Sequence, residues 1–342
     1  MWISKKSLSS AVIIASTLVS VNSFAQDDTV EVKVGGFIRA DYGDGDRYSE
    51  EQGEDRLGVS KAALAAQSTY KNVTGVLVFG TEILTDGDDN ADGNVDVKDA
   101  FIVLNNVGDS VVSFSVGAQP LLFGLKPEGY PGDHSIQASI EYGAGGLFAV
   151  ANQAGPSIIS WADFGDFTLR GGVFDLNSNY DDVTFAEFGD DGPSVSDNFF
   201  LQLRGTNIGG TGIYGVIGAE SVFVDPQNDG ETITTIGLGW SNSVIDVSAE
   251  YVQLDETIIQ AGGFDIDDDE TYLILEASVK ATDKLSFYAD YSEADEVEFE
   301  TIRVGVDYLY NKFTVFSAEY SQDEFDGGDD IDSIDFRIAL KY

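Results

Sequence analysis

The feature that most constrains the fold of this chain is a two-residue alternation of apolar and polar side chains that recurs along its length. In the clearest case, residues 334–342, every even-numbered residue is apolar or aromatic and every odd-numbered residue is charged or small. Because successive side chains of a strand point to opposite faces, about 10 such residues can present one face to lipid and the other to water. The alternation predicts sixteen strands, at 30–42, 57–70, 73–84, 95–106, 111–119, 155–162, 166–175, 196–206, 212–224, 232–241, 244–254, 271–280, 284–294, 299–309, 313–323 and 332–342.

The connections between these runs are sorted by length. Those after even-numbered strands are short, as at 71–72, 242–243, 281–283 and 310–312, whereas those after odd-numbered strands are mostly longer and acidic. Short turns at one end and long loops at the other are typical of an outer-membrane barrel. The sequence therefore predicts an all-β fold, a transmembrane antiparallel up-and-down β-barrel of about 16 strands, whose first and last strands pair so that no edge is left open in lipid.

The ends and the composition fit one exported domain. Residues 1–25 have the three parts of a secretory signal peptide, with Lys5 and Lys6 before an apolar run and Ser23-Phe24-Ala25 as the cleavage site. The remaining residues, 26–342, are predicted to form a single barrel domain that is rich in Gly (38), poor in Pro (6) and free of Cys.

Acidic residues dominate the charge. The chain has 60 Asp and Glu against 18 Lys and Arg, a formal net charge of −42. Phosphate backbones need a basic face, so the charge excludes nucleic acid as a partner. The acidity is interpreted mainly as a solvated surface.

Aromatic residues lie near many predicted strand ends, as expected of girdles at the two membrane interfaces. The predicted girdle residues are Tyr42, Trp161, Trp240, Tyr251, Tyr291, Tyr310, Tyr320 and Tyr342. The alternative is that aromatic residues simply suit strands.

Several short stretches resemble the Gram-negative outer-membrane porins, both the general porins and the phosphate-selective porin O and P family. They are residues 34–42 followed by 56–60, residues 97–101 followed by 116–119 and 123–125, and the terminal aromatic Tyr342. The resemblance implies a sixteen-stranded barrel in the outer membrane, surrounded by lipid and lipopolysaccharide, usually as a homotrimer. It also implies a third loop that folds inward and narrows a pore for small hydrophilic solutes.

The connection 120–154 is the longest in the chain and corresponds to this third loop. Its charged residues Lys126, Glu128, Asp133 and Glu141 are the candidates for the constriction. Phosphate-selective members carry a lysine cluster there, whereas this loop has only Lys126. With carboxylates so dominant, we predict a weak cation preference.

Five arginines fall on the strand face opposite the apolar stripe and are predicted to line the pore. They are Arg39, Arg170, Arg204, Arg303 and Arg337. Because Arg in any barrel strand must avoid lipid, this placement does not by itself assign them a role in selectivity.

A run in the second long loop matches the D-x-[DN]-x-[DN]-G pattern of calcium loops. The candidate ligands are Asp88, Asn90, Asp92, Asn94 and Asp99. The twelfth residue is Asp where Glu is usual, and no helices are predicted on either side. A calcium site and an acidic solvated turn both remain open; no other cofactor is expected.

The sequence predicts a passive channel for small hydrophilic solutes and ions. Two alternatives are a channel specific for one solute, such as phosphate or another anion, and a structural or adhesive barrel whose external loops carry the function. An enzyme is not predicted, because the single histidine, His134, has no catalytic partner at a recognisable spacing.

Overall fold

The fold is a single closed sheet of sixteen antiparallel strands, seen in a computed structural model. The structure describes residues 16–17, 30–45, 56–82, 96–119, 121–125, 155–174, 198–222, 231–255, 269–296, 298–325 and 331–341. The barrel strands are β1 (Glu31–Gly45), β2 (Arg56–Tyr70), β3 (Val73–Glu82), β4 (Asp96–Leu104), β5 (Val112–Gln119), β6 (Gly155–Phe164), β7 (Phe167–Phe174), β8 (Asn198–Gly205), β9 (Ile213–Val222), β10 (Glu231–Ser241), β11 (Ile245–Leu254), β12 (Glu270–Lys280), β13 (Leu285–Ala294), β14 (Phe299–Asn311), β15 (Thr314–Phe325) and β16 (Ile331–Lys341).

Each strand pairs with its sequence neighbours, and the last strand pairs with the first. In the seam between β16 and β1, Ser333 lies opposite Gly45 and Lys341 lies opposite Phe37. The predicted strand number and closure are confirmed. Closure supplies each barrel strand with a partner on both sides, which a sheet in lipid requires.

A further strand of two residues, Ser16–Thr17, pairs with Val34 and Gly35 of β1. It falls within the predicted signal peptide, and the rest of residues 1–25 lie outside the described part of the chain. The signal peptide therefore stays a prediction.

The two ends of the barrel differ in their connections, as predicted. The end that we call the short-turn end carries the connections 71–72, 105–111, 165–166, 206–212, 242–244, 281–284 and 312–313. The opposite end, the long-loop end, carries 46–55, 83–95, 120–154, 175–197, 223–230, 255–269, 295–298 and 326–330. Asn side chains help to close the short turns: Asn242 Oδ1 accepts the backbone N–H of Ile245 at 2.8 Å, and Asn311 Oδ1 accepts that of Phe313 at 2.8 Å.

The outer face of the barrel is apolar and exposed, whereas the inner face is largely polar. In β10, the outward-facing Ile236 and Leu238 are 57% and 62% exposed, whereas the adjacent Thr235, which faces the interior, is 3% exposed. The same alternation recurs in the other strands, so that a belt of exposed apolar side chains surrounds the barrel. An apolar surface of this extent is suited to lipid rather than to water.

Exposed aromatic side chains gather at the short-turn end, which supports one of the two predicted girdles. They include Tyr70, Phe164, Phe167, Trp240, Tyr310 and Phe313. The girdle prediction is wrong for Trp161, which is 4% exposed and shares the inner face with the fully buried Ile159. The interior is apolar in this sector, so the alternation that separates the two faces of the other strands is lost from the sequence of β6.

Candidate functional site

The interior of the barrel holds a short segment that does not belong to any strand. Residues 121–125 follow β5 at the long-loop end, and Leu121, Phe123 and Leu125 are almost completely buried, at 1%, 0% and 5% exposure. The groups that hold this segment belong to β8, β9, β10 and β11, several strands away from β5 around the barrel. We call residues 121–125 the inner segment.

Three side chains on the inner wall bond to the backbone of the inner segment. Gln202 of β8 accepts the N–H of Gly124 at 3.0 Å and donates to the carbonyl of Leu122 at 3.2 Å. Arg204, two residues further along the same face of β8, donates to the carbonyl of Gly124. From β11, Glu250 accepts the N–H of Leu125 at 2.7 Å.

Glu250 is itself held in place by the wall. Thr235 of β10 donates its hydroxyl to Oε1 of Glu250 at 2.6 Å, the same oxygen that accepts the backbone N–H of Leu125. Both residues are buried, at 8% and 3% exposure. The hydrogen bond from Thr235 therefore helps to orient the Glu250 carboxylate toward the inner segment.

The apolar side chains of the inner segment rest on glycines. A Cβ added to Gly218 of β9 would lie 2.9 Å from the ring of Phe123, and one added to Gly237 of β10 would lie 3.0 Å from the Cβ of Leu125. Any larger residue at either position would push the segment away from the wall. These two glycines form a flat floor on which Phe123 and Leu125 pack.

Two tyrosine rings on the inner wall also lie over glycines of a neighbouring strand. Tyr214 of β9 crosses Gly239 of β10 and donates to Asp246 of β11 at 2.7 Å. Tyr288 of β13 crosses Gly305 of β14 and donates to Glu319 of β15 at 2.7 Å. In each case a glycine lets an aromatic ring lie flat against the wall and reach a carboxylate two strands away.

Carboxylates are frequent on the inner face from β11 to β16. They are Asp246, Glu250, Glu270, Glu276, Asp290, Asp307, Glu319, Asp323 and Asp335. Glu276 and Asp307 are partly exposed, and they accept hydroxyl hydrogen bonds from Ser248 at 2.9 Å and Ser317 at 2.6 Å. This arc of the wall thus contributes negative charge to the interior.

The five predicted pore-lining arginines all lie on the inner face. Arg303 is 2% exposed between the outward-facing Ile302 and Val304, and the other four, Arg39, Arg170, Arg204 and Arg337, are partly exposed. Their place on the wall follows from the strand alternation, whereas a role in selectivity stays a prediction. Arg204 donates a hydrogen bond to the inner segment. The guanidinium group of Arg170 lies over the ring of Phe200, 5.8 Å from its centroid.

The other predicted site residues are mostly beyond the described ranges. The constriction candidates Lys126, Glu128, Asp133 and Glu141 lie outside them, as do Asp88, Asn90, Asp92 and Asn94 of the calcium hypothesis. Asp99 is described, and it is a buried residue of β4 whose side chain shares the inner face with Phe101. Within the described ranges, no three acidic or histidine side chains converge as a metal site would require.

Sequence reasoning missed Gln202 and Glu250. Both are polar residues at inner-face positions, and the alternation alone gives them no distinction from the other polar residues of the wall. The three further features that define the site, namely the floor glycines, the inner segment and the tyrosine bridges, depend on contacts between distant parts of the sequence.

Solved outer-membrane porins have the same fold. OmpF of Salmonella typhi, solved in complex with daunomycin, matches with a TM-score of 0.66 at 11% identity, over 91% of this chain and 98% of that chain. The anion-selective porin of Comamonas acidovorans matches with a TM-score of 0.63 at 13% identity, over 92% and 100%. The outer membrane channel DcaP of Acinetobacter baumannii matches with a TM-score of 0.61 at 11% identity, over 95% and 100%.

At these identities the likeness concerns the fold. No family model matches the sequence, and no curated protein matches it either. In the part of the chain that the structure describes, no helix is long and apolar enough to cross a membrane.

Proposed function

We propose that the chain is a porin of a Gram-negative outer membrane, a water-filled channel through which small hydrophilic solutes and ions diffuse passively. The observation that carries the proposal is the inner segment, which lies inside a closed sixteen-stranded barrel and is bonded to its wall. A barrel of this size encloses more space than its own side chains fill. A segment bound to the wall takes up part of that space.

The inner segment is the first part of the third loop, and we propose that the loop continues inward as the constriction of the pore. Lys126, Glu128, Asp133 and Glu141 are then the charged residues nearest to the narrowest point. The described part of the inner wall adds carboxylates on β11 to β16. The proposed preference is weakly for cations, in contrast to the anion selectivity in the name of the Comamonas porin, because 60 acidic residues face 18 basic ones in this chain.

The proposal includes export and assembly. We infer that residues 1–25 are removed during export, that the apolar belt contacts outer-membrane lipid and lipopolysaccharide, and that the barrel assembles as a homotrimer. Light scattering of the purified protein in detergent, corrected for bound detergent, distinguishes a trimer from a monomer of 36.7 kDa or slightly less.

The function is tested by reconstituting the purified protein in a planar bilayer and recording single channels in a KCl gradient. Stepwise ohmic openings with a reversal potential displaced toward the K⁺ equilibrium value are expected. Addition of phosphate is expected to leave the conductance unchanged, and a saturable phosphate block would instead establish a solute-specific channel. A folded, heat-modifiable barrel without conductance would contradict the porin proposal and favour a structural or adhesive barrel.

A further inference from the structure

We propose that Gln202, Arg204 and Glu250 form a clamp that positions the inner segment and thereby sets the width of the passage. On this view Arg204, predicted from the sequence to line the pore, is a positioning residue that acts through the third loop. The proposal rests on the proposed channel function and names the residues that control its narrowest part.

The clamp satisfies backbone groups that have no strand partner. A segment inside the barrel cannot use the ladder of the sheet, yet its buried N–H and C=O groups need partners. The carbonyls of Leu122 and Gly124 and the N–H groups of Gly124 and Leu125 all find them in the three clamp side chains. Loss of a clamp residue leaves at least one of these groups without its partner.

Contacts from two directions fix the position of the segment. The clamp residues stand on β8 and β11, and the glycine floor lies on β9 and β10 between them. Phe123 and Leu125 fit against Gly218 and Gly237 only if the backbone is held at the distance that the clamp imposes. Polar bonds and close packing therefore specify the same location.

The backbone of the inner segment also depends on being held. Leu122 has a φ of 56°, in the left-handed region that residues other than glycine seldom adopt. Such a conformation persists where surrounding contacts enforce it. Once the clamp is removed, the segment is expected to leave this conformation and move off the wall.

The primary test compares single-channel conductance in variants of Glu250. Glu250→Leu removes the acceptor for the Leu125 N–H and is expected to give a larger conductance with frequent transitions between levels. Glu250→Gln keeps a side-chain oxygen acceptor and is expected to retain the narrower, steady conductance. Glu319→Leu is the matched control, because Glu319 is an equally buried carboxylate, 8% exposed, that accepts a hydrogen bond from Tyr288 rather than from the inner segment.

A disulfide provides the rescue. The chain has no cysteine, so Leu125→Cys and Gly237→Cys introduce a single possible pair, and the Leu125 Cβ lies 3.0 Å from the position of a Cβ on residue 237. Cβ atoms in disulfides lie about 3.5–4.5 Å apart, so the bridge requires the segment to move slightly away from β10 and then holds it there. We expect the pair to cross-link in the folded barrel and, when added to Glu250→Leu, to restore the narrow conductance until a reductant is supplied.

The outcomes separate the clamp from the channel. Conductance of Glu250→Leu equal to that of Glu319→Leu, in a barrel that is folded by its heat-modifiable migration, would overturn the clamp while leaving the channel intact. If Glu250→Leu does not fold, the cysteine pair on the otherwise unchanged chain decides, since failure to cross-link would show that the segment does not rest on β10. Absence of conductance in the unchanged protein would refute the channel itself.

Discussion

Gly305 illustrates how single residues shape the inner wall, because its missing side chain is what allows the Tyr288 ring to cross to Glu319. A Cβ at this position would overlap the tyrosine ring. We expect Gly305→Ala to displace Tyr288, break its hydrogen bond to Glu319 and lower the free energy of unfolding by about 1–3 kcal/mol. Urea titration of the barrel refolded into lipid vesicles measures this difference.

The control for this prediction is another glycine. Gly75 lies on the outward face of β3, and a Cβ added there would meet nothing within 4 Å. Gly75→Ala is expected to leave the unfolding free energy close to that of the unchanged protein. Equal losses in the two alanine variants would contradict the interpretation, because they would point to a general effect of replacing glycine in strands.

Glu220 of β9, in contrast, carries a side chain that we expect to lower the stability of the barrel. It is 1% exposed, it lies opposite Phe200 and Ile233 on the neighbouring strands, and neither carboxylate oxygen has a hydrogen-bond partner within the described residues. A buried polar group without a partner destabilises a fold. We expect Glu220→Leu to raise the free energy of unfolding by about 1–3 kcal/mol.

The same urea titration tests this prediction. Glu276→Leu is the comparison, because Glu276 accepts a hydrogen bond from Ser248 at 2.9 Å and its loss should destabilise the barrel. A drop in stability for Glu220→Leu similar to that of Glu276→Leu would show that Glu220 makes a favourable interaction in the membrane.

At the scale of the strand, alternation decides which substitutions the membrane tolerates. Ala249 lies outward and exposed near the middle of β11, whereas Ser248 before it faces the interior and bonds to Glu276. Arg at the lipid midplane costs about 2–4 kcal/mol. We therefore expect Ala249→Arg to lose about this much stability, while Ser248→Arg, which places its charge in the interior beside Glu276, is tolerated.

Refolding yield and urea midpoint in vesicles compare these two adjacent substitutions. Since the variants introduce the same side chain one residue apart in one strand, only the face differs. Similar stability of the two would mean that the outer surface of β11 does not contact lipid.

The strands were predictable from the sequence because alternation is a local property. The sixteen predicted runs agree with the observed strands to within a few residues, and β1 differs most, since it extends to Gly45 rather than ending at Tyr42. Trp161 and Ile159 were not predictable as interior residues, because in β6 apolar side chains occupy both faces. The clamp was not predictable either, since Gln202 and Glu250 meet the inner segment only when strands distant in sequence curve around the same interior.

For the whole molecule, the chief consequence of the composition is electrostatic. The chain has a formal net charge of −42. Part of this charge lies on the inner wall, as carboxylates of β11 to β16. Charges at the surface act over the Debye length, which falls from about 10 Å at 0.1 M salt to about 3 Å at 1 M. Charges at the proposed constriction would act on ions at short range, where salt screens them less.

These two sources of selectivity give different dependences on salt. We expect the many solvated carboxylates of the whole molecule to produce the cation preference. In a KCl gradient of fixed ratio, the reversal potential should then be displaced toward the K⁺ equilibrium value when the mean salt concentration is about 0.1 M. It should approach zero when the mean salt concentration is about 1 M. A displacement that persists at about 1 M would place selectivity in the constriction instead. The measurement needs only the unchanged protein in a planar bilayer, and a reversal potential displaced toward Cl⁻ at low salt would contradict the cation preference altogether.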